Sequence, residues 1–224
     1  EDIENNRDKE NADPAGFGAL EYTFSEIAKE AGIQMTECRL LEDGDHRHFM
    51  TRRFDRTKNG NKLHYQSLTA IAHYDFNSAG AYSYEQAFAI AKRIGLTMTD
   101  IEQMYRRAAF NICARNQDDH TKNIGFLMDK RGHWKLAPAF DVTYANNPNG
   151  RWTGTHQMTF NGKRENFTLE DFKIVAKNAG LVQRRYKRIL EQVQDSLATF
   201  KKRAKVNDVP KNLIQEVEKN LLFF

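Results

Sequence analysis

The stretch Asn116-Gln117-Asp118-Asp119-His120-Thr121-Lys122-Asn123 gathers two adjacent carboxylates, an imidazole, an ammonium and three side-chain amides directly after an apolar run. Short polar side chains of this kind compete for a helix's own backbone groups, so the stretch reads as a loop, either a solvated turn or a site. Asp118 and Asn123 stand five residues apart, and a β-hairpin after Asn123 would return the chain so that Asp141 lies beside them. Hard oxygen donors converging in that way suit Mg²⁺. Phosphoryl transfer uses such a layout, because its catalysis is mostly positioning of the nucleophile and neutralisation of phosphate charge. A second chemistry fits some of the same residues: Asp118, Asp119, His120 and Asp141 as ligands of two ions that activate water, as in a phosphodiesterase or nuclease. That reading leaves the Asn at the five-residue interval without a purpose.

The elements that must position these groups are legible around them. Apolar residues at Leu20, Phe24, Ile27, Ala28 and Ala31 repeat at helical spacing, and Gly32 is placed to end a helix over 20–31. Met35 to Leu41 and His46 to Phe54 read as strands of an antiparallel pair around Asp43-Gly44. After a polar turn at 58–61 the chain is expected to turn mostly helical, with capping boxes Ser83/Gln86 and Thr99/Glu102 opening helices over 84–94 and 100–114. The second helix runs into the polar stretch. A hairpin of 124–128 and 133–136 follows, then Asp141 and a loop rich in Asn, Pro and Gly. Thr168 with Asp171 starts a helix, a longer one spans 182–203, and Pro210 opens the last. Trp134 and Phe140 are expected to pack the hairpin under the site. Asp119 is read as a capping or ion-pairing residue, and His156 and Lys163 as structural.

Composition sets bounds on this. The chain has 224 residues, 40% of them apolar, enough for a substantial core. Its net charge of +4 is a mild excess, and the basic clusters at 184–188 and 201–203 fall at helical spacing, as solvated faces do. Cys38 and Cys113 lack metal-type spacing and fit buried thiols in a reducing cytosol. No apolar run approaches membrane-span length, so a cytoplasmic protein with no membrane partner is expected.

An Asp that accepts a hydroxyl proton, an Asn five residues on that binds metal, and a second metal-binding Asp after a hairpin are the parts of a protein-kinase catalytic loop. Here Gln117 stands where eukaryotic kinases place Arg, and no Gly follows Asp141, which points to a divergent family. The segments "FNICARNQDDHTKNIGFLMD" and "WKLAPAFDVTYA" resemble the C-terminal region of the HipA-like serine/threonine kinases, toxins of bacterial toxin–antitoxin systems. That family pairs an N-x-D-[DG]-H-x-K-N loop with an L-[ST/A]-P-x-[YF]-D segment. "ALEYTFSEIAKEAGI", "FMTRRFDR", "LHYQSL" and "HQMTFNGK" extend the resemblance from Gly18 to Phe224.

The resemblance implies Asp118 as catalytic base, with Asn123 and Asp141 holding Mg²⁺ against the phosphates of ATP. It also implies His120 and Lys122 as contacts to phosphate or nearby carboxylates. Arg52 and Phe54 would lie in a hinge that meets adenine, and Glu21 would orient an ATP-binding lysine. The fold it implies is α+β and protein-kinase-like: a mobile arm over 1–18, a remnant of a small β-containing lobe over 19–56, and a larger helical lobe over 57–224. Nothing in residues 1–18 matches the family's Gly-rich loop or strand lysine, so another stretch of chain or a separate chain is expected to supply them. The partners implied are a protein substrate, of the aminoacyl-tRNA synthetase kind, and a DNA-binding antitoxin. A non-catalytic, partner-binding pseudokinase is the alternative.

Overall fold

The computed structural model describes residues 16–44 and 46–224. Residues 1–15, most of the expected arm, lie outside them. Helix α1 spans Phe17–Glu30, starting before the expected Leu20 and taking in Phe17 and Gly18 from that arm. A Cβ on Gly18 would lie 2.1 Å from the Arg47 carbonyl oxygen, so the glycine lets the first turn of α1 close directly on the strand beside it. The helix ends as expected at Gly32, which takes φ +81°. Arg106 and Gln103 donate to the carbonyls of Ala31 and Gly32 at 2.6 and 2.8 Å, satisfying acceptors that a helix end leaves open.

β1 (Cys38–Asp43) and β2 (His46–Thr51) form the expected antiparallel hairpin, paired from Cys38↔Thr51 to Asp43↔His46. Both are shorter than the apolar runs suggested. Met35 instead makes a parallel bridge to Ala139, and Phe54 lies in the turn that follows β2. After the polar turn the chain does not go directly into helix. β3 (His64–Ser67) comes first, then the short α2 (Leu68–Ala72).

α3 (Tyr84–Arg93) opens with the Ser83/Gln86 box as expected, both bonds formed. α4 (Met98–Ala114) begins earlier than expected and is boxed by Thr97 and Asp100, because Glu102 is engaged elsewhere, by Arg185 at 2.5 Å and Arg106 at 3.7 Å. β4 (Gly125–Met128) and β5 (Trp134–Leu136) are the expected hairpin, and β3 pairs antiparallel with β4 to give the order β3-β4-β5. The Tyr65 ring fills the space over Gly125, where a Cβ would lie 2.3 Å from its Cε2.

α5 (Leu169–Ala179) carries the Thr168/Asp171 box. The single helix expected over 182–203 is two: α6 (Gln183–Leu197) and α7 (Phe200–Val206). Ser196 and Thr199 hydroxyls donate to the carbonyls of Val193 and Ser196, the back-bonding by which such side chains loosen a helix. α8 (Lys211–Asn220) follows Pro210.

The core is knitted by aromatic side chains. Phe24 of α1 meets Phe110 of α4 edge-on and Phe200 of α7 at 5.3 Å, and Phe160 sits among Tyr84, Tyr105, Phe167 and Phe172. Each such fully buried ring contributes about 2–3 kcal/mol. Cys38 and Cys113 are free and buried. In the basic clusters Lys201 and Arg203 pair with Glu218 and Glu30. No described helix is long and apolar enough to cross a membrane.

Candidate active site

α4 delivers the polar stretch. Arg115 caps the helix in the left-handed region, φ +56°, and turns the chain outward; the Asn116 amide then bonds the Asn111 carbonyl at 2.9 Å. A parallel bridge between Asn116 and Ala145, with Gln117 N to Ala145 O at 3.0 Å, clamps the start of the loop to the segment after Asp141. A 3₁₀ turn at Thr121–Asn123 ends it, and Thr121 is held by the Thr69 hydroxyl at 2.6 Å.

The two adjacent carboxylates part company here. The Asp118 side chain is 43% exposed, whereas that of Asp119 is 1% exposed. Asp119 accepts from the Tyr84 hydroxyl at 2.8 Å, His156 Nδ1 at 2.9 Å and the Gln157 amide at 2.7 Å. It is thus the inward anchor of the loop, in the structural role expected for it. His156 is its partner, and Lys163 pairs with Asp171 at 2.7 Å.

Asn123 joins the outward groups. Its Nδ2 donates to the Asp118 carbonyl and to Asp141 Oδ2, both at 2.9 Å. Asp141 is exposed and sits at φ +56°, a left-handed position that costs an L residue about 1 kcal/mol and that Asp tolerates better than most. It is held there by Asn116 Nδ2, which donates to the Asp141 carbonyl at 3.2 Å. His120 Nε2 lies 3.8 Å from Asp118 Oδ1. Its ring meets Phe76 edge-on, and the Lys122 ammonium lies 3.5 Å above the centre of that same Phe76 ring.

Glu21 reaches the site from α1, whose end is tied to it through Gln34: the Ala139 amide donates to the Gln34 carbonyl at 2.8 Å. Burial, then the neighbouring charge of Asp141, pushes its carboxyl up to about 7. Burial also raises Asp118; the His120 imidazole opposes that, and Asp141 and Asp119 add to it. The Asp141 charge thus raises both Glu21 and Asp118, and with no cation paired to Glu21 or Asp141 among the described residues, a positive charge beside Asp141 would be stabilised there. Asn123 now offers an N–H to Asp141; a rotation of its amide would present Oδ1 to a cation shared with Asp141. That donor pair, one carboxylate and one amide oxygen, is of the hard-oxygen kind that suits Mg²⁺.

Phe54 packs at 5.4 Å on Phe140 and at 5.6 Å on Tyr65, so the turn after β2 is joined to the residue preceding Asp141. Trp134 meets His64 across the sheet. Arg52 is not brought in. Its side chain is exposed, lies near Glu37, and bonds none of the other candidate residues.

Sequence reasoning missed Phe76, Tyr84, Asn111 and Asn116. One signal was available: Asn111 stands between the apolar residues Phe110 and Ile112 of α4, and a half-buried amide there needs partners.

Residues 3–200 match the HipA-like C-terminal domain. The chain belongs to that family. This HipA-like chain is 29% identical over 134 residues to a Haemophilus influenzae protein named "Putative kinase", a match covering 54% of the chain and 39% of that protein. Its fold is similar to one in the Shewanella oneidensis MR-1 complex of HipA, HipB and operator DNA. There the TM-score is 0.70 and the identity 15%, over 95% of this chain and 52% of the other. That likeness carries the fold, the kinase-like α+β arrangement expected from the sequence. The chain spans about half the length of the one and less than half of the other.

Proposed function

We propose that this HipA-like chain is the catalytic lobe of an ATP- and Mg²⁺-dependent serine/threonine kinase. The observation that carries the reading is the bridge made by Asn123, which ties the backbone of Asp118 to the carboxylate of Asp141. The residue of the candidate base and the two candidate metal ligands are thereby joined through one side chain. Asp118 is open enough to meet a hydroxyl, and its raised affinity for a proton suits a general base. It would take the proton of a serine or threonine hydroxyl as the oxygen attacks the γ-phosphorus of ATP and ADP leaves. Asn123 and Asp141 would hold Mg²⁺, which supplies neutralisation of phosphate charge. His120 orients Asp118, Lys122 offers an ammonium at the mouth of the loop, and Glu21 faces the place where a lysine or metal charge would be stabilised. Phe54 would pack against the adenine. Arg52 has less support in that role.

The reading extends to partners of the same class: a protein substrate such as an aminoacyl-tRNA synthetase, and a DNA-binding antitoxin, in keeping with the HipB and operator DNA present in the similar complex. A Gly-rich loop and lysine from elsewhere in the protein or from a second chain would complete the nucleotide site, in a cytoplasmic setting. The two-ion nuclease reading loses support from Asp119, whose carboxylate is turned inward and fully engaged. The pseudokinase reading, motivated by the lack of a matching Gly-rich loop and lysine in the sequence, draws on Glu21, which pairs with no cation among the described residues.

The test is transfer of labelled γ-phosphate by the complete protein, compared with Asp118→Asn and Asp141→Asn. Each substitution is expected to remove transfer. Undiminished transfer in both would exclude the assignment.

A further inference from the structure

Beneath the site the hydrogen bonds form one unbroken chain that the catalytic reading does not use. The Tyr84 hydroxyl donates to Asp119 Oδ2 at 2.8 Å and accepts from Asn111 Nδ2 at 3.1 Å. Asn111 Oδ1 accepts from Asn116 Nδ2 at 3.1 Å, and Asn116 Nδ2 donates its other hydrogen to the Asp141 carbonyl at 3.2 Å. Donor and acceptor roles agree at every link, so no amide or hydroxyl has to serve in a conflicting sense. The Tyr84 phenol stays protonated, because burial and the facing Asp119 hold its pKa well above the ordinary value. One end of the chain is the residue next to the candidate base. The other is the backbone of the candidate metal ligand, held at a positive φ that it would not favour alone.

We propose that Tyr84, Asn111 and Asn116 are positioning residues that set the spacing between Asp118 and Asp141, and so the shape of the cation site. The proposal rests on the kinase reading for its purpose, but its geometry stands apart from it. Asn111 is the hub. It sits on rigid α4 and links the half of the site carried by the loop to the half carried by the segment after β5. A largely buried network satisfied at every link is stiff, and losing one link leaves the neighbouring amide or carboxylate short of a partner.

The test uses this chain labelled with ¹⁵N, Mn²⁺ alone as the probe, and the variants Tyr84→Phe and Asn111→Leu. Tyr84→Phe keeps the ring that packs on Phe160, so the fold should survive it. In the unsubstituted chain Mn²⁺ should broaden the amide signals of Asn123 and Asp141 first. Both variants should weaken that effect about tenfold, the usual scale for groups that orient metal ligands. Amide exchange should quicken around Asp141 as well as around Asp119, with α1 and α6 unchanged. Unaltered Mn²⁺ affinity in both variants, or faster exchange confined to the neighbourhood of the substitution, would overturn the proposal. If Mn²⁺ leaves Asn123 and Asp141 untouched in the unsubstituted chain, the kinase reading fails. The exchange pattern then decides positioning alone: spread to Asp141 supports it, confinement overturns it.

Discussion

Replacing Glu21 by Gln removes one ionisation from the site while keeping the side chain's size. In the folded chain burial, and then Asp141, hold the Glu21 carboxyl at about 7 against an ordinary 4.5. The folded state therefore binds its proton more tightly than the unfolded state. Between pH 4.5 and about 7 the folded chain carries more protons, and the stability from this group falls as pH rises through that window. Above it the full cost of a buried carboxylate is present. A gap of that size corresponds to about 3 kcal/mol at 1.36 kcal/mol per pH unit, and solvent at the partly open carboxylate reduces it to about 2 kcal/mol. Glu21→Gln should therefore be more stable than the parent by about 2 kcal/mol at pH 8 and equal to it within about 0.5 kcal/mol at pH 5. Urea unfolding reads this as a midpoint about 1 M higher at pH 8, for a slope near 2 kcal/mol per M. An equal advantage at both pH values, or none at pH 8, would refute the reasoning, since either would mean that Glu21 does not titrate in the site.

Other substitutions probe the scaffold. Asp119→Ala leaves Tyr84, His156 and the Gln157 amide without their shared acceptor; it should cost about 3 kcal/mol or more in urea unfolding, and a loss below about 1 kcal/mol would contradict the anchor role. Gly125→Ala drives a methyl into the Tyr65 ring and should destabilise by about 1–3 kcal/mol, an effect that Tyr65→Ala in the same chain should partly relieve. For Asp171, burial raises the carboxyl, but bonds from Lys163, Asn161 and Thr168 outweigh it and hold the group at about 2. Its contribution is complete above pH 3.8 and lost as pH falls through about 2, so Asp171→Asn should flatten the acid limb of the stability profile there.

What the sequence made legible follows from where the information is local. The α1 stripe and its Gly32 stop, the Ser83 and Thr168 boxes and the hairpin before Asp141 rest on contacts a few residues apart, and they fold as read. Where a distant partner decides, the pattern misled. Glu102 looked like a capping residue but pairs with Arg185, and β3 exists because β4 lies beside it. In the site, the spacing of Asp118 and Asn123 placed both on one loop, and the hairpin returned Asp141 to Asn123. The chain through Tyr84, Asn111 and Asn116 was out of reach, because it joins α3, α4 and two loops whose meeting is a property of the packed core.

The central claim assigns different work to Asp118 and Asp141, and one paired measurement separates them: nucleotide affinity in Mg²⁺ and the rate of γ-phosphate transfer, on the same preparations of the complete protein. Asp118→Asn should bind ATP about as tightly as the parent while transfer falls by about 10²–10⁴-fold, the range for loss of a general base. Asp141→Asn should lose Mg²⁺-dependent affinity and transfer together. Asp118→Asn with full transfer, or Asp141→Asn with unchanged Mg²⁺-dependent affinity, would contradict the account.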